Sequence, residues 1–366
     1  MENKNVIIAA SGTGGHIYPG ISLAKEFRDN GYQVMFFISN NEASENIMKN
    51  SGFDFVTFNL SGMPRGFSIR FVSFFFKLIF SFFKSLKLIS KIKPAAVIGT
   101  GGYISVPPVF AAKILKIKTF IHEQNVFPGV ANKLLNRIAD ITFVSFKDSE
   151  KYFKRKKIFF SGYPVRKDIS GISKFDVCRK FNFENDIFTI LIFGGSLGAA
   201  KINEIAFDAV KELSLKEKTQ TLHITGQKNH DYIRSKNCNE ASYKIFDYMH
   251  DIRDAYAASD IVICRAGAGT VFELKMLKKS AVLIPYPSAS DNHQFYNAKE
   301  IEKDGVVEII DEKNLSVSAL VSLIEKLKSN QNKQIVSNSE CSQAKLPIES
   351  FPQEIIFGEI KKCIES

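Results

Sequence analysis

The sequence predicts an α/β protein made of two doubly wound, Rossmann-like parallel-sheet domains. Three observations carry that reading. Short apolar runs alternate with helical stretches along nearly the whole chain. The alternation pauses near Ser161-Gly162-Tyr163-Pro164 and then restarts. Four of the apolar runs end in a glycine-rich turn that opens a helix. Alternating strands and helices imply a parallel sheet covered on both faces, and 366 residues suffice for two domains of roughly 150–180 residues each.

In the first half, residues 6–10 read as a strand and 19–30 as a helix, with Pro19 in its first turn, where a missing N–H costs nothing. Residues 33–38, 53–58, 95–98, 119–122 and 141–146 read as the next strands. They are short and rich in Val, Ile and Phe, the composition of strands buried on both faces. In the second half, residues 188–193, 222–225, 261–264, 281–285 and 306–310 repeat the pattern. The domains are expected at 1–163 and 164–348. Residues 329–345 are polar and break the pattern, and 349–366 read as a closing helix that packs back on the first domain.

The segment from Phe67 to Lys93 stands apart. It holds eight of the 33 phenylalanines, and from Arg65 to Lys93 there are seven basic residues and no acidic one. At helical spacing Phe71, Phe74, Phe75, Leu78, Ile79, Phe82, Leu86 and Ile89 share one face. Arg70, Ser73, Lys77, Ser81, Lys84, Lys87 and Lys91 form a narrow stripe. Lys77 and Lys84 interrupt the apolar run before it could span a bilayer. A core-facing helix accounts for part of this pattern. The wide apolar arc and one-signed charge fit a helix lying on an anionic membrane surface.

A net charge of +11 implies an acidic partner. Nucleic acid is not expected, because no zinc-finger spacing or RNA-binding aromatic motif is present. The five cysteines are scattered and never form C-x-x-C, so neither a disulfide framework nor a thiolate metal site is expected. The N-terminal residues lack the charged and apolar regions of a secretory signal, and a cytoplasmic protein is expected.

The four glycine turns are Ser11-Gly12-Thr13-Gly14-Gly15-His16, Gly99-Thr100-Gly101-Gly102-Tyr103, Gly194-Gly195-Ser196-Leu197-Gly198-Ala199 and Arg265-Ala266-Gly267-Ala268-Gly269-Thr270. Such turns let backbone approach a ligand, and the helix behind them aims free N–H groups at an anion. Two lie in each half, as expected if phosphates are carried by both of two reactants. None completes the G-x-G-x-x-G dinucleotide fingerprint, and no P-loop is present, which counts against a nicotinamide oxidoreductase.

Side chains near these turns supply chemistry. His16 begins a helix, where a cation is disfavoured, so its neutral imidazole suits a general base or a phosphate hydrogen bond. His122-Glu123-Gln124-Asn125 puts four polar groups at a strand end, a costly arrangement unless they face a ligand. Glu123 is a rival base. Arg265 to Glu273 joins a guanidinium, a flexible turn and a carboxylate one helical turn in. Asp291 to Asn297 forms a further polar cluster suited to sugar hydroxyls. No D-x-D pair accompanies the turns, so neither a metal nor a cofactor is expected.

These motifs, in this order, together with Gly162-Tyr-Pro-Val-Arg166 and Asp291-x-x-Gln294-x-x-Asn297-Ala298, resemble the MurG family of peptidoglycan glycosyltransferases, which add GlcNAc to lipid I to make lipid II. The resemblance spans nearly the whole chain. It implies a GT-B fold, two such domains facing across a cleft, and inverting transfer from UDP-GlcNAc to an undecaprenyl-pyrophosphoryl-MurNAc-pentapeptide at the cytoplasmic face of the inner membrane. It further implies that Ser196 and the Gly194–Ala199 turn hold the diphosphate, with Arg166 near the nucleotide and Arg265 among the substrate-binding residues. The Met249 backbone would read uracil and Glu273 the ribose. The helix start at Ala268, Gly269, Thr270, Val271 and Phe272 would face phosphate, and Gln294 the GlcNAc hydroxyls. Thr13, Gly14, Gly15 and Asn125 would line the sugar side, and the Gly12–His16 and Gly99–Tyr103 turns would take the acceptor's pyrophosphate. The alternative is another lipid-directed GT-B enzyme, such as a diacylglycerol glycosyltransferase, whose acceptor carries no pyrophosphate.

Overall fold

A computed structural model describes residues 4–11, 14–60, 62–64, 69–154, 157–195, 198–236, 241–249, 251–303, 306–338 and 350–366. The chain divides into two compact units, residues 1–166 with 348–366, and residues 167–347.

The first unit runs β1 (Asn5–Ala10), α1 (Gly14–Asp29), β2 (Gln33–Ser39), α2 (Glu42–Lys49), β3 (Asp54–Phe58), α3 (Ile69–Ile92), β4 (Ala96–Gly99), α4 (Val106–Ile114), β5 (Lys118–Glu123), α5 (Val130–Leu135), β6 (Ile141–Val144) and β7 (Ile158–Phe160). All its strands are parallel, in the order β3-β2-β1-β4-β5-β6-β7. Alternate residues of β1 feed two cores. Val6, Ile8 and Ala10 pack with Ile17, Leu23 and Phe27 of α1 on one face. Ile7 and Ala9 pack with Phe74 and Ile89 of α3 and Val109 of α4 on the other.

The second unit runs α6 (Lys174–Phe181), β8 (Phe188–Phe193), α7 (Ala200–Lys216), β9 (Thr219–Ile224), α8 (His230–Lys236), β10 (Tyr243–Phe246), α9 (Arg253–Ala258), β11 (Ile261–Cys264), α10 (Ala268–Leu277), β12 (Ser280–Leu283), α11 (His293–Glu302), β13 (Val307–Ile309) and α12 (Val317–Asn338). Its strand order is β10-β9-β8-β11-β12-β13, again parallel throughout. Helix α12 continues into the polar stretch after residue 329, and residues 339–349 lie outside the described set. The last helix, α13 (Pro352–Glu365), returns to the first unit. There Ile356, Phe357 and Ile360 join its core, and Phe357 meets Phe27 edge-on at 5.0 Å.

The structure corrects two local expectations. Helix α1 begins at Gly14, so Pro19 sits inside it rather than in its first turn; the helical partner given up is the Gly15 carbonyl. On α3, Phe75 and Ile79 point outward with Ile69, Val72, Phe76, Phe80 and Phe83, while Ser81 and Ser85 are buried with Phe74 and Ile89. Ser81, expected on the polar stripe, therefore belongs to the buried line of α3, where small serines let the helix pack closely. Lys84 is also no free cation, since its Nζ donates to Thr57 O at 2.7 Å and lies over the Phe58 ring. Among the described residues no helix is long and apolar enough to cross a membrane.

Candidate active site

In the first unit, β1 and β4 are neighbours in parallel register from Val6↔Ala96 to Ala9↔Gly99. Their glycine turns therefore leave the sheet side by side, beyond the carboxyl ends of the strands. The turns interlock. Gly101 and Gly102 have φ of 105° and 72°. A Cβ on Gly101 would lie 2.8 Å from His16 Nδ1, and one on Gly102 would lie 2.3 Å from Ser11 Cβ. Conformation and space both exclude any larger residue. Thr100 stitches the turns together, its N–H donating to Ala9 O at 2.9 Å and its Oγ1 to His16 O at 2.9 Å. Gly14 and Gly15 open α1 within this turn, and Gly15 is exposed; Thr13 lies outside the described residues.

His16 is half-buried at that helix start. Its Nδ1 lies 3.0 Å from Thr100 O and 3.1 Å from Gln124 Oε1. Burial lowers its pKa, outweighing the two hydrogen bonds that would raise it, so the imidazole is held neutral. His122 is buried beside it. Its Nε2 is 3.2 Å from Gly162 O and 3.2 Å from Ser145 Oγ, and its Nδ1 is 3.2 Å from Gln124 Nε2. Burial pushes its pKa down to about 4.

Glu123 is also buried, with both oxygens occupied. Oε1 accepts from Asn125 N at 3.0 Å and from its Nδ2 at 3.3 Å, and Oε2 accepts from Gly129 N at 3.1 Å and Asn132 Nδ2 at 2.8 Å. Burial raises its pKa against these donors. It organises the loop from β5 to α5, and Asn125 is turned toward it. Tyr103 is half-buried, its OH 3.7 Å from Met63 Sδ and its ring edge-on to Phe74 at 5.3 Å. Arg166 is the last residue before the second unit and is half-buried.

In the second unit, β8 and β11 are central neighbours, paired from Ile261↔Ile190 to Cys264↔Phe193. Gly198 N donates to Gly195 O at 3.0 Å, and a Cβ on Gly198 would lie 2.3 Å from Thr225 O. Ser196 lies outside the described residues. After β11, the neighbour of β8, α10 starts at Ala268 with no side chain capping its first turn, which leaves backbone donors for an anion. Ala268 and Val271 are buried, so they present backbone only, whereas Gly269, Thr270, Phe272 and Glu273 are half-buried. Glu273 is held by Tyr256, whose OH donates to Oε2 at 2.9 Å. Gln294 on α11 accepts from Tyr286 N at 2.9 Å, which fixes its amide beside the loop after β12. Met249 follows the edge strand β10 and is half-buried.

Arg265 is committed to the fold. Its Nη1 donates to Ile284 O and Pro285 O at 3.2 Å each, its Nη2 pairs with Glu312, and its guanidinium lies over Tyr286. It ties the end of β11 to the segment after β12, so its effect on a ligand is exerted through that loop. Thr100 and Gln124 lie in motifs marked by the sequence, but their roles, stitching the turns and linking two histidines, do not show there; Tyr256, 17 residues before Glu273 and fully buried, carries no mark of function at all. Tyr256 reads as ordinary core.

The chain matches the glycosyltransferase family 28 N-terminal domain over residues 6–144 and the family 28 C-terminal domain over residues 189–351. It is 39% identical over 332 residues to a UDP-N-acetylglucosamine–N-acetylmuramyl-(pentapeptide) pyrophosphoryl-undecaprenol N-acetylglucosamine transferase of Caldanaerobacter subterraneus, covering 88% of this chain and 90% of the relative. It is 36% identical over 348 residues to the Halothermothrix orenii protein of the same name, covering 92% and 94%. Among solved structures it resembles Acinetobacter baumannii MurG, with a TM-score of 0.73 and 26% identity over 98% of this chain and 99% of that one.

Proposed function

Because this chain belongs to the MurG family of glycosyltransferase family 28, we propose that it transfers GlcNAc from UDP-GlcNAc to lipid I, releasing UDP and forming lipid II. The first unit's interlocked glycine turns around His16 carry the acceptor side of this reading. Two adjacent βα turns, packed on each other beyond the carboxyl ends of β1 and β4 with the start of α1 behind them, suit a pyrophosphate, which a diacylglycerol acceptor lacks.

The acceptor's MurNAc hydroxyl gives its proton to His16 Nε2 and attacks the anomeric carbon of GlcNAc. The bond to the UDP oxygen breaks with inversion, and its electron pair leaves on the β-phosphate. His16 suits this task because it is neutral near pH 7 and its Nδ1 is already engaged. Glu123 is the weaker candidate, since four donors already occupy its oxygens. In the second unit the turn after β8, with Ser196, and the uncapped start of α10 receive the diphosphate and stabilise the charge that develops on UDP. Glu273, aligned by Tyr256, takes the ribose hydroxyls, the Met249 backbone reads uracil, and Gln294 contacts the GlcNAc hydroxyls. No cofactor enters this scheme.

Helix α3 places the enzyme at its lipid substrate. Its outward face exposes Ile69, Val72, Phe75, Phe76, Ile79, Phe80 and Phe83, with Lys77, Lys87 and Lys91 on the same helix. An apolar face with one-signed charge lies on an anionic bilayer, here the cytoplasmic face of the inner membrane. UDP release from UDP-GlcNAc tests the assignment: it requires a lipid-pyrophosphoryl-MurNAc-peptide, and equal turnover with diacylglycerol refutes it.

A further inference from the structure

Two backbone carbonyls determine a proton arrangement across the first unit. Thr100 O lies 3.0 Å from His16 Nδ1. A carbonyl cannot donate, so Nδ1 carries the hydrogen. Gly162 O lies 3.2 Å from His122 Nε2, so that nitrogen carries the hydrogen of His122 and its Nδ1 is an acceptor. The atom of Gln124 facing His122 Nδ1 at 3.2 Å must then be the amide nitrogen. The same nitrogen donates to Thr100 O at 2.6 Å. The Gln124 carbonyl is thereby turned to His16, where it accepts from Nδ1–H at 3.1 Å.

The chain of bonds runs from His16 Nδ1–H to Gln124 Oε1, from Gln124 Nε2–H to His122 Nδ1, and from His122 Nε2–H to Gly162 O. Every member has one role only. Gln124 and His122 are 1% exposed, so water does not compete for these bonds. Among the described residues His16 Nε2 has no hydrogen-bond partner, and its lone pair is left for a substrate proton.

We propose that Gln124 is a positioning residue, held by His122 and Thr100, that shares with the Thr100 carbonyl the task of holding the Nδ1–H of His16 and so aims its Nε2 lone pair at the acceptor hydroxyl. This rests on His16 being the base. A purely packing role for Gln124 would not select a tautomer, whereas this network does.

The test uses the full-length enzyme with ¹⁵N-labelled histidine. Long-range ¹H–¹⁵N spectra at neutral pH should show His16 as Nδ1–H, identified by the signal lost in His16→Gln; an Nε2–H tautomer overturns the proposal. Gln124→Met should lower kcat on the order of 10- to 100-fold, the range for loss of a partner that orients an imidazole, with the KM for UDP-GlcNAc unchanged. Gln124→Glu keeps the acceptor but places a carboxylate beside His16, so the acid limb of the kcat/KM profile should move to higher pH. Equal kcat in Gln124→Met, or an unmoved acid limb in Gln124→Glu, overturns the proposal. The two ideas fail separately. Full turnover in His16→Gln removes the base assignment, while a correct tautomer with unchanged kcat in Gln124→Met removes only the positioning role.

Discussion

The ring of Phe74 meets the ring of Tyr103 edge-on, with centroids 5.3 Å apart. Phe74 lies on the buried line of α3, and Tyr103 closes the second glycine turn. The amphipathic helix and the second glycine turn therefore share a packed contact. Phe74→Ala should cost about 3–5 kcal/mol of stability, as large-to-small aromatic substitutions in cores do. It should also raise the KM for the lipid acceptor more than that for UDP-GlcNAc. Denaturant titration and steady-state kinetics measure the two effects.

The outer face of the same helix should behave differently. Phe76, Phe80 and Phe83 are exposed, so changing all three to Ser should alter stability by no more than about 0.5 kcal/mol per site. Sedimentation with anionic vesicles should show binding reduced at least several-fold. Lys77, Lys87 and Lys91 are the better sites for charge reversal, because Lys84 is held by Thr57 O and Phe58.

Gly101→Ala tests the interlocked turns. Its φ of 105° and the 2.8 Å approach to His16 Nδ1 leave no room for a methyl group. Backbone strain of this kind costs about 1–3 kcal/mol, and the displaced imidazole should depress kcat while UDP binding, measured by calorimetry, stays intact. Weakened UDP binding with normal kcat would contradict the placement of this turn on the acceptor side.

Buried histidines make stability depend on pH. Burial depresses His122 to about 4 and His223 to about 3, while in the unfolded chain both titrate near the ordinary 6.5. Below about 6.5 the unfolded state therefore binds more protons, and stability falls with falling pH until the folded pKa values are reached. Each histidine contributes a slope of up to about 1.4 kcal/mol per pH unit. Urea titrations from about pH 7.5 down to about 5 should show this decline, and His223→Gln should remove one of the two contributions.

The central strands were legible because burial on both faces writes an unbroken apolar run, as in Phe188–Phe193 and Ile261–Cys264. The edge strands Ile158–Phe160 and Tyr243–Phe246 were not. They are 3 and 4 residues long, too short for a period of two or an extended apolar run to mark them as strands. Pro19 misled because a glycine turn let α1 start earlier. Within His122–Asn125 the polarity was plain, but the division of labour was not. Whether Glu123 or Gln124 faces His16 depends on Asn132 and Gly129 gathering the carboxylate, and no spacing encodes that.

The pyrophosphate of the acceptor is the central claim, and one comparison tests it most directly. The kcat/KM for a lipid-pyrophosphoryl-MurNAc-peptide is measured against that for the same lipid and glycopeptide joined without phosphate. Recognition of the pyrophosphate by the turns around Gly101 and His16 predicts a loss of at least 100-fold, which is about 2.7 kcal/mol and within reach of a few charge-assisted hydrogen bonds. Equal kcat/KM for the two acceptors would contradict it.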